Sequence, residues 1–519
     1  MMKSTTTCVL VVMLVGSIMG KLSPPERSYK ILMLLPVSAR SHRNVFNPLA
    51  EALADRGHKI VMLTNQPKSS KHPNIEDIPH DLPYFKEGNI NAFYRRKNHS
   101  RPMQAFETLL PAVARELYKV PVVKDLYKRR KEFDVMLIDE FLNEVAYPFL
   151  HEVPFITVST SGMEPRISSV LGNVPNPAYV PHSWLGHKAP MSIWHRFYNT
   201  VVHIKSALYW WKWTILPPIQ EAISAQFPEL PLLLDLERNV SLSLLNSHFS
   251  INTPLPLLPS QVEVGAMHCR PANPLPQELE SWITGAGSSG VIYFSLGSVA
   301  RSSSMPIQYR DLFIQAFRRL PQRVIWKYEE ELEDVPDNVM ISKWLPQQDI
   351  LAHNNVKVFI THGGLLSMQE AIYHATPLLA LPILADQPKN SVFIKNSGLG
   401  DFLIWEELTV DVIVDALTKI LNEPKYKENV LKMSVPLHDQ LVPPTELAVF
   451  WTEYVIRHKG APQLRSPAAQ LSWVEFLMLD VIFILHLAVI VLLFILRRII
   501  RVITAKIFGS SGKMKKKNE

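Results

Sequence analysis

The chain of 519 residues has two cysteines, Cys8 and Cys269. Cys8 lies in a short apolar run, 8–15, preceded by Lys3 and followed by the small residues Gly16, Ser17 and Gly20. This is the pattern of a signal peptide over 1–20, and the run is too short to span a bilayer. Its removal leaves Cys269 alone, so an internal disulfide is excluded and packing must hold the fold. No Gly-x-Ser-x-Gly elbow occurs, which argues against a serine hydrolase, and no Asp-x-Asp metal motif is present. Net charge is also lacking in most of the chain. Eight of the 54 Lys and Arg and one of the 47 acidic residues fall in 497–519, so the remainder carries 46 of each sign. That distribution excludes nucleic acid as a partner and fits a basic cytoplasmic tail.

The tail follows a mostly apolar run, 474–496. At ~1.5 Å rise per residue this run crosses a ~30 Å hydrocarbon core. Glu475, Asp480 and His486 interrupt it, with Asp480 expected near the lumenal interface. Signal peptide, body and single span together predict a type I membrane protein. The terminal Lys516-Lys517-Asn518-Glu519 reads either as a dilysine endoplasmic-reticulum retrieval signal or as a basic stop-transfer flank.

Within the body, Ile31 to Leu35 is a buried-strand run ended by Pro36, and a polar loop carrying Ser41-His42 leads to a helix with Val45, Leu49, Ala52 and Leu53 on one face. The next strand, 59–64, completes a β-loop-α-β unit. A later strand, 133–139, has an acid at each end. Asp139 falls at the carboxyl end, where α/β sheets place ligands, and Asp134 falls at the other. A carboxylate there could hold one nitrogen of an imidazole base, although Glu140 and Glu144 compete for the role. The proline- and tryptophan-rich region 165–217 reads equally as an aromatic acceptor pocket or as a packed helical lid. Asn98 and Asn239 open glycosylation sequons, Asn98 in the more loop-like setting.

Six prolines in 252–276 without periodicity predict an interdomain linker over 252–290. Gly285 to Gly290 satisfies Gly-x-Gly-x-x-Gly but precedes a strand instead of following one, so it is rejected as a dinucleotide site. Strand and helix patterns then alternate through a second doubly wound domain. Its centre is 344–387, where a strand ending at Thr361 meets His362-Gly363-Gly364 and a helix. Free N–H groups at such a helix start suit a phosphate. Ser367-x-x-Glu370 fits a capping box equally well. A further strand then delivers Asp386-Gln387 to the same sheet edge.

The stretch 344–387 closely resembles the donor-binding signature of the UDP-glycosyltransferases, which include the animal UDP-glucuronosyltransferases. The resemblance extends over about 28–519. It implies two Rossmann-like domains facing across a cleft, the GT-B arrangement, with an acceptor domain over 24–251 and a UDP-sugar domain over 291–460. By matching position, Trp344 and Gln347 frame the uracil and Glu370 meets the ribose. His362, Gly364, Ser367 and Ser298 serve the diphosphate, and Asp386 and Gln387 serve the sugar. The Pro36-x-x-x-x-Ser41-His42 spacing resembles the family's catalytic histidine, with Asp139 as its orienting acid. Leu366 departs from the pattern, since many relatives have Asn there. The expected reaction is inverting transfer of glucose or glucuronate to a hydroxyl of a small lipophilic acceptor, as in detoxification. It uses no cofactor beyond the UDP-sugar co-substrate and no metal. A non-catalytic, membrane-anchored binder of lipophilic ligands is the alternative, and a homo-oligomer is an allowed assembly.

Overall fold

The computed structural model describes residues 22–85, 92–98, 103–182, 184–187, 190–298 and 300–511. The expected signal peptide and residues 512–519 lie outside these. The chain divides into two compact units, 1–465 and 466–519.

The first unit holds two wholly parallel sheets. One has strand order β3-β2-β1-β4-β5-β6-β7 and is built from β1 (Lys30–Leu35), β2 (Lys59–Thr64), β3 (Ile75–Pro79), β4 (Val135–Asp139), β5 (Phe155–Ser159), β6 (Leu242–Leu245) and β7 (Gln261–Glu263). The other has order β10-β9-β8-β11-β12-β13, with β8 (Val291–Ser295), β9 (Arg323–Lys327), β10 (Val339–Ser342), β11 (Val356–Thr361), β12 (Leu378–Ala380) and β13 (Gly400–Phe402). The near-continuous apolar runs follow from burial on both faces. Alternate residues feed separate cores: Leu32, Leu34, Met136 and Ile138 enter one, Ile31, Met33, Val135 and Leu137 the other. Each sheet reverses its winding once, between β1 and β4 and between β8 and β11. Ligands in such sheets bind outside the carboxyl ends at that reversal.

Three boundaries differ from the sequence expectation. The expected linker 252–290 contains β7, paired to β6 in the first sheet, and the helix Gln277–Thr284, whose Leu279 and Ile283 enter a core of the second. Between them, Arg270 forms a two-pronged ion pair with Asp349 (2.6 and 2.9 Å), and Asn273 N–H donates to the same carboxylate at 2.7 Å. The prolines mark a pinned crossing. Second, the expected C-terminal domain, 291–460, does not keep its last helix. Pro444–Arg457 packs on Arg40–Asp55 and puts Ala448, Val449, Val455 and Ile456 into the first sheet's core. Glu453 there accepts from Arg56 Nε at 2.6 Å and lies 3.0 Å from His58 Nε2. Third, the span expected at 474–496 overlaps a longer helix, Leu479–Ser511, from residue 479 onward. Its apolar section, Leu479–Ile507, is long and apolar enough to cross a membrane. Glu475 lies outside that helix, where it forms a capping box with Ser472 at a separate short helix, Trp473–Phe476.

The two sequon asparagines differ in setting. Asn98 is the last residue of a helix, Ala92–Asn98, whereas Asn239 is exposed, with its neighbour Ser241 buried.

Candidate active site

His42 lies in the first turn of the helix Arg40–Asp55, not in the loop before it; the helix starts early, with Ala39 at its N-cap and no side-chain cap. From there Nδ1 approaches Asp139 Oδ2 at 2.8 Å. Asp139 ends β4 and is fully buried. Ser38 Oγ donates to its Oδ2 at 2.6 Å and Phe141 N–H to its Oδ1 at 3.4 Å. Asn143 ties the two strand ends together, accepting from Val37 N–H at 2.8 Å and donating to Ser38 Oγ at 3.3 Å. Burial works against the charged imidazole, but the charge and hydrogen bond of Asp139, with the charge of Asp386 from the second domain, prevail and raise the pKa of His42. Among the described residues Nε2 has no hydrogen-bond partner, so one imidazole nitrogen is held and the other is free.

The competing carboxylates face elsewhere. Glu140 follows Asp139 and so takes the other side of the strand, within 3.3 Å of Ser243 Oγ; burial pushes its pKa up to about 8, so it is protonated at neutral pH. Glu144 accepts from Trp210 Nε1 at 2.7 Å. Neither hydrogen-bonds His42.

On the second sheet, His362 follows β11 with its ring held between two glycines. A Cβ on Gly297 would lie 2.7 Å from Cε1, and one on Gly364 would lie 2.5 Å from Nε2. Gly297 also has φ +83°, a conformation that favours glycine. Burial and the nearby charge of Lys327 lower the pKa of His362 to about 4, so its ring is neutral. The helix Leu365–Tyr373 begins at Gly364 as N-cap. Ser367 and Glu370 therefore sit inside the helix and do not form the capping box that their spacing allowed. Both meet Gln347 instead: its Nε2 donates to Glu370 Oε2 at 2.5 Å and to Ser367 Oγ at 3.3 Å, while its Oε1 accepts from Tyr293 at 3.2 Å. Burial raises the Glu370 pKa to about 7, against the pull of the Gln347 hydrogen bond.

Asp386 precedes the helix Gln387–Asn396 without a side-chain cap and accepts from Asn390 Nδ2 at 2.7 Å; the same amide donates to Gly363 O at 3.0 Å. The Gln387 oxygen accepts from Ile383 and Leu384 N–H, both at 2.8 Å, which leaves its amide nitrogen for a ligand. Ser298 is exposed in the turn after β8. Trp344 is 61% exposed, with the Arg40 guanidinium 4.6 Å from its ring centre. That contact comes from the first domain. Leu366, the departure from the family pattern, packs into cores of both domains.

The structure thus brings His42 and Asp139 to one sheet edge and Gln347, His362, Gly364, Ser367, Glu370, Asp386 and Gln387 to the other. The sequence reading missed Ser38, Arg40, Asn143 and Asn390. Ser38 and Asn143 flank the strand ends already named, and that proximity was the available signal. Arg40 could be found only from the assembled body.

A family model described as "UDP-glucoronosyl and UDP-glucosyl transferase" matches residues 30–514. The chain is 34% identical to UDP-glycosyltransferase UGT5 of Dactylopius coccus over 94% of this chain and 95% of that one. It is 31% identical to UDP-glucuronosyltransferase 2B14 of Oryctolagus cuniculus over 84% and 86%. It is also 30% identical to a 2-hydroxyacylsphingosine 1-beta-galactosyltransferase of Mus musculus over 93% and 90%. The calicheamicin glycosyltransferase CalG4 shares the fold, with TM-score 0.57 and 16% identity over 83% of this chain and 99% of that one. So does the glycosyltransferase VinC, solved with dTDP, with TM-score 0.53 and 17% identity over 83% and 100%.

Proposed function

The chain belongs to the UDP-glucuronosyl and UDP-glucosyl transferase family, and on that premise we propose that it transfers a hexosyl group from a UDP-sugar to a hydroxyl of a small lipophilic acceptor, with His42 as base. One observation carries the assignment: His42 is held by Asp139 on one sheet while feeling the charge of Asp386 from the other. In that arrangement Nε2 takes the acceptor hydroxyl proton as the oxygen bonds to the anomeric carbon. The bond from that carbon to the diphosphate breaks on the opposite face, UDP leaves and the anomeric centre inverts. Asp139 fixes the tautomer and steadies the imidazolium that forms.

The donor roles follow from the second sheet. Gln347 and Glu370 are linked to each other, and this paired amide and carboxyl, with Trp344, is assigned to the uracil and ribose. Neutral His362, with Ser298, Gly364 and Ser367, receives the diphosphate at the helix start, where backbone N–H groups and the dipole favour an anion. Asp386 and the free amide nitrogen of Gln387 are assigned to sugar hydroxyls. The body is assigned to the lumen of the endoplasmic reticulum, anchored by Leu479–Ile507, with the basic tail in the cytoplasm.

The test uses the full chain in membranes. Products formed from UDP-glucose and UDP-glucuronate with a panel of phenols and steroids are identified by mass spectrometry, and His42→Ala is assayed beside the parent. Transfer by the variant at a near-normal rate, with UDP binding intact, would overturn the base assignment. Protease protection of the body in sealed vesicles checks its orientation.

A further inference from the structure

Lys327 is the last residue of β9, and its apolar predecessors Val324, Ile325 and Trp326 are fully buried. The lysine itself is only 9% exposed. Withdrawing an ammonium from water is costly unless partners replace the water. Two do so here: Nζ donates to Gly297 O at 3.0 Å and to Glu329 Oε1 at 2.8 Å. Glu329 in turn accepts from Ser303 N–H through Oε2 at 3.1 Å. The pair thus grips the turn after β8 at Gly297 and the short helix Ser302–Ser304 beyond it. Gly297 is the residue whose missing side chain makes room for His362.

We propose that Lys327 is a positioning residue for the donor diphosphate, setting the Gly297–Ser298 peptide through the Gly297 carbonyl and adding positive charge beside His362. In a trans peptide the C=O and the following N–H point in opposite directions. Tying the Gly297 carbonyl to Lys327 therefore turns the Ser298 N–H away from the ammonium. Among the described residues that N–H has no backbone partner. Glu329 holds the ammonium in place and balances it while the site is empty, so charge added by a diphosphate meets a fixed cation instead of a mobile one. The same cation opposes protonation of His362, keeping it a neutral contact.

This inference rests on the donor assignment above, and its test separates the two. Binding of UDP and of uridine is measured by titration calorimetry on the full chain in detergent micelles, for the parent, Lys327→Met, Lys327→Arg and Glu329→Gln. The parent is expected to bind UDP more tightly than uridine; if it binds neither, the donor assignment fails. In Lys327→Met the advantage of UDP over uridine is expected to fall by about tenfold or more, as for loss of a charge-assisted contact. Uridine affinity should hold. Lys327→Arg, which can still donate to the Gly297 carbonyl, should recover most of the advantage, and Glu329→Gln should fall between. A merely structural lysine would weaken uridine and UDP alike. That equal loss, or a UDP advantage within twofold of the parent in Lys327→Met, overturns the proposal. If Lys327→Met does not accumulate as folded protein, Glu329→Gln carries the same comparison, and an unchanged UDP advantage there overturns it.

Discussion

His42 stands just beyond β1, where the first sheet reverses its winding between β1 and β4. His362 stands just beyond β11, where the second sheet reverses between β8 and β11. In both, burial disfavours the charged ring, and the neighbours decide the outcome. Beside His42 a buried carboxylate hydrogen-bonds Nδ1, another acid adds its charge from across the body, and the pKa rises. Beside His362 the near charge is the Lys327 ammonium, the ring is wedged between glycines, and the pKa falls to about 4. The two histidines flank the reversal from opposite sides, His42 after β1 and His362 after β11. The sign of the neighbouring charge sends their pKa values in opposite directions, which fits the assignment of one as proton acceptor and the other as neutral donor contact.

That contrast can be broken from either side. His42→Ala should cost the most, roughly 10²–10⁴ in kcat, with UDP binding by calorimetry unchanged; loss of UDP binding would mean that the two histidines are not separate in role. Asp139→Asn should cost about 10² in kcat by weakening the base and its tautomer. It should also move the pH profile. His42 must be neutral to accept a proton, so activity falls as pH drops through its raised pKa, and without Asp139 the acid limb should shift to lower pH. His362→Ala should lower kcat/KM for the donor by about tenfold, the value of a lost hydrogen bond to a charged group. It should leave the acid limb where it is, because His362 is already neutral above about pH 5. The smallest effect is expected for Gly364→Ala, whose methyl would lie 2.5 Å from His362 Nε2 and push the ring aside. UDP affinity should fall by less than in His362→Ala.

The strands that build these two positions were legible as apolar runs because parallel strands are buried on both faces. The strands β3 (IEDIP) and β7 (QVE) were not, since short edge strands carry polar residues and lose the signal. His42 and Asp139 were recognisable by place and by family spacing. The helix around His42 begins a turn early, at Arg40, and no side chain caps it, so its start carried no mark in the sequence. Ser367 and Glu370 had capping-box spacing, but Gly364 starts that helix and the pair turns to Gln347. Arg40 over Trp344 and Arg56 on Glu453 join residues hundreds of positions apart, which no local pattern encodes.

The second of those contacts bears on how the protein is made. Arg56 and Glu453 are separated by 397 positions. At a synthesis rate of ~5–20 residues per second, Glu453 is added roughly 20–80 s after Arg56, well after the last strand of the first sheet, β7. During that interval Val45, Phe46 and Leu49 lack the apolar partners Ala448 and Val449. The amino-terminal domain is therefore a late finisher, one face of its core uncovered until the last helix of the body emerges. A chain ended at residue 443 should appear as aggregated or degraded material, even though every residue assigned to catalysis has already been translated.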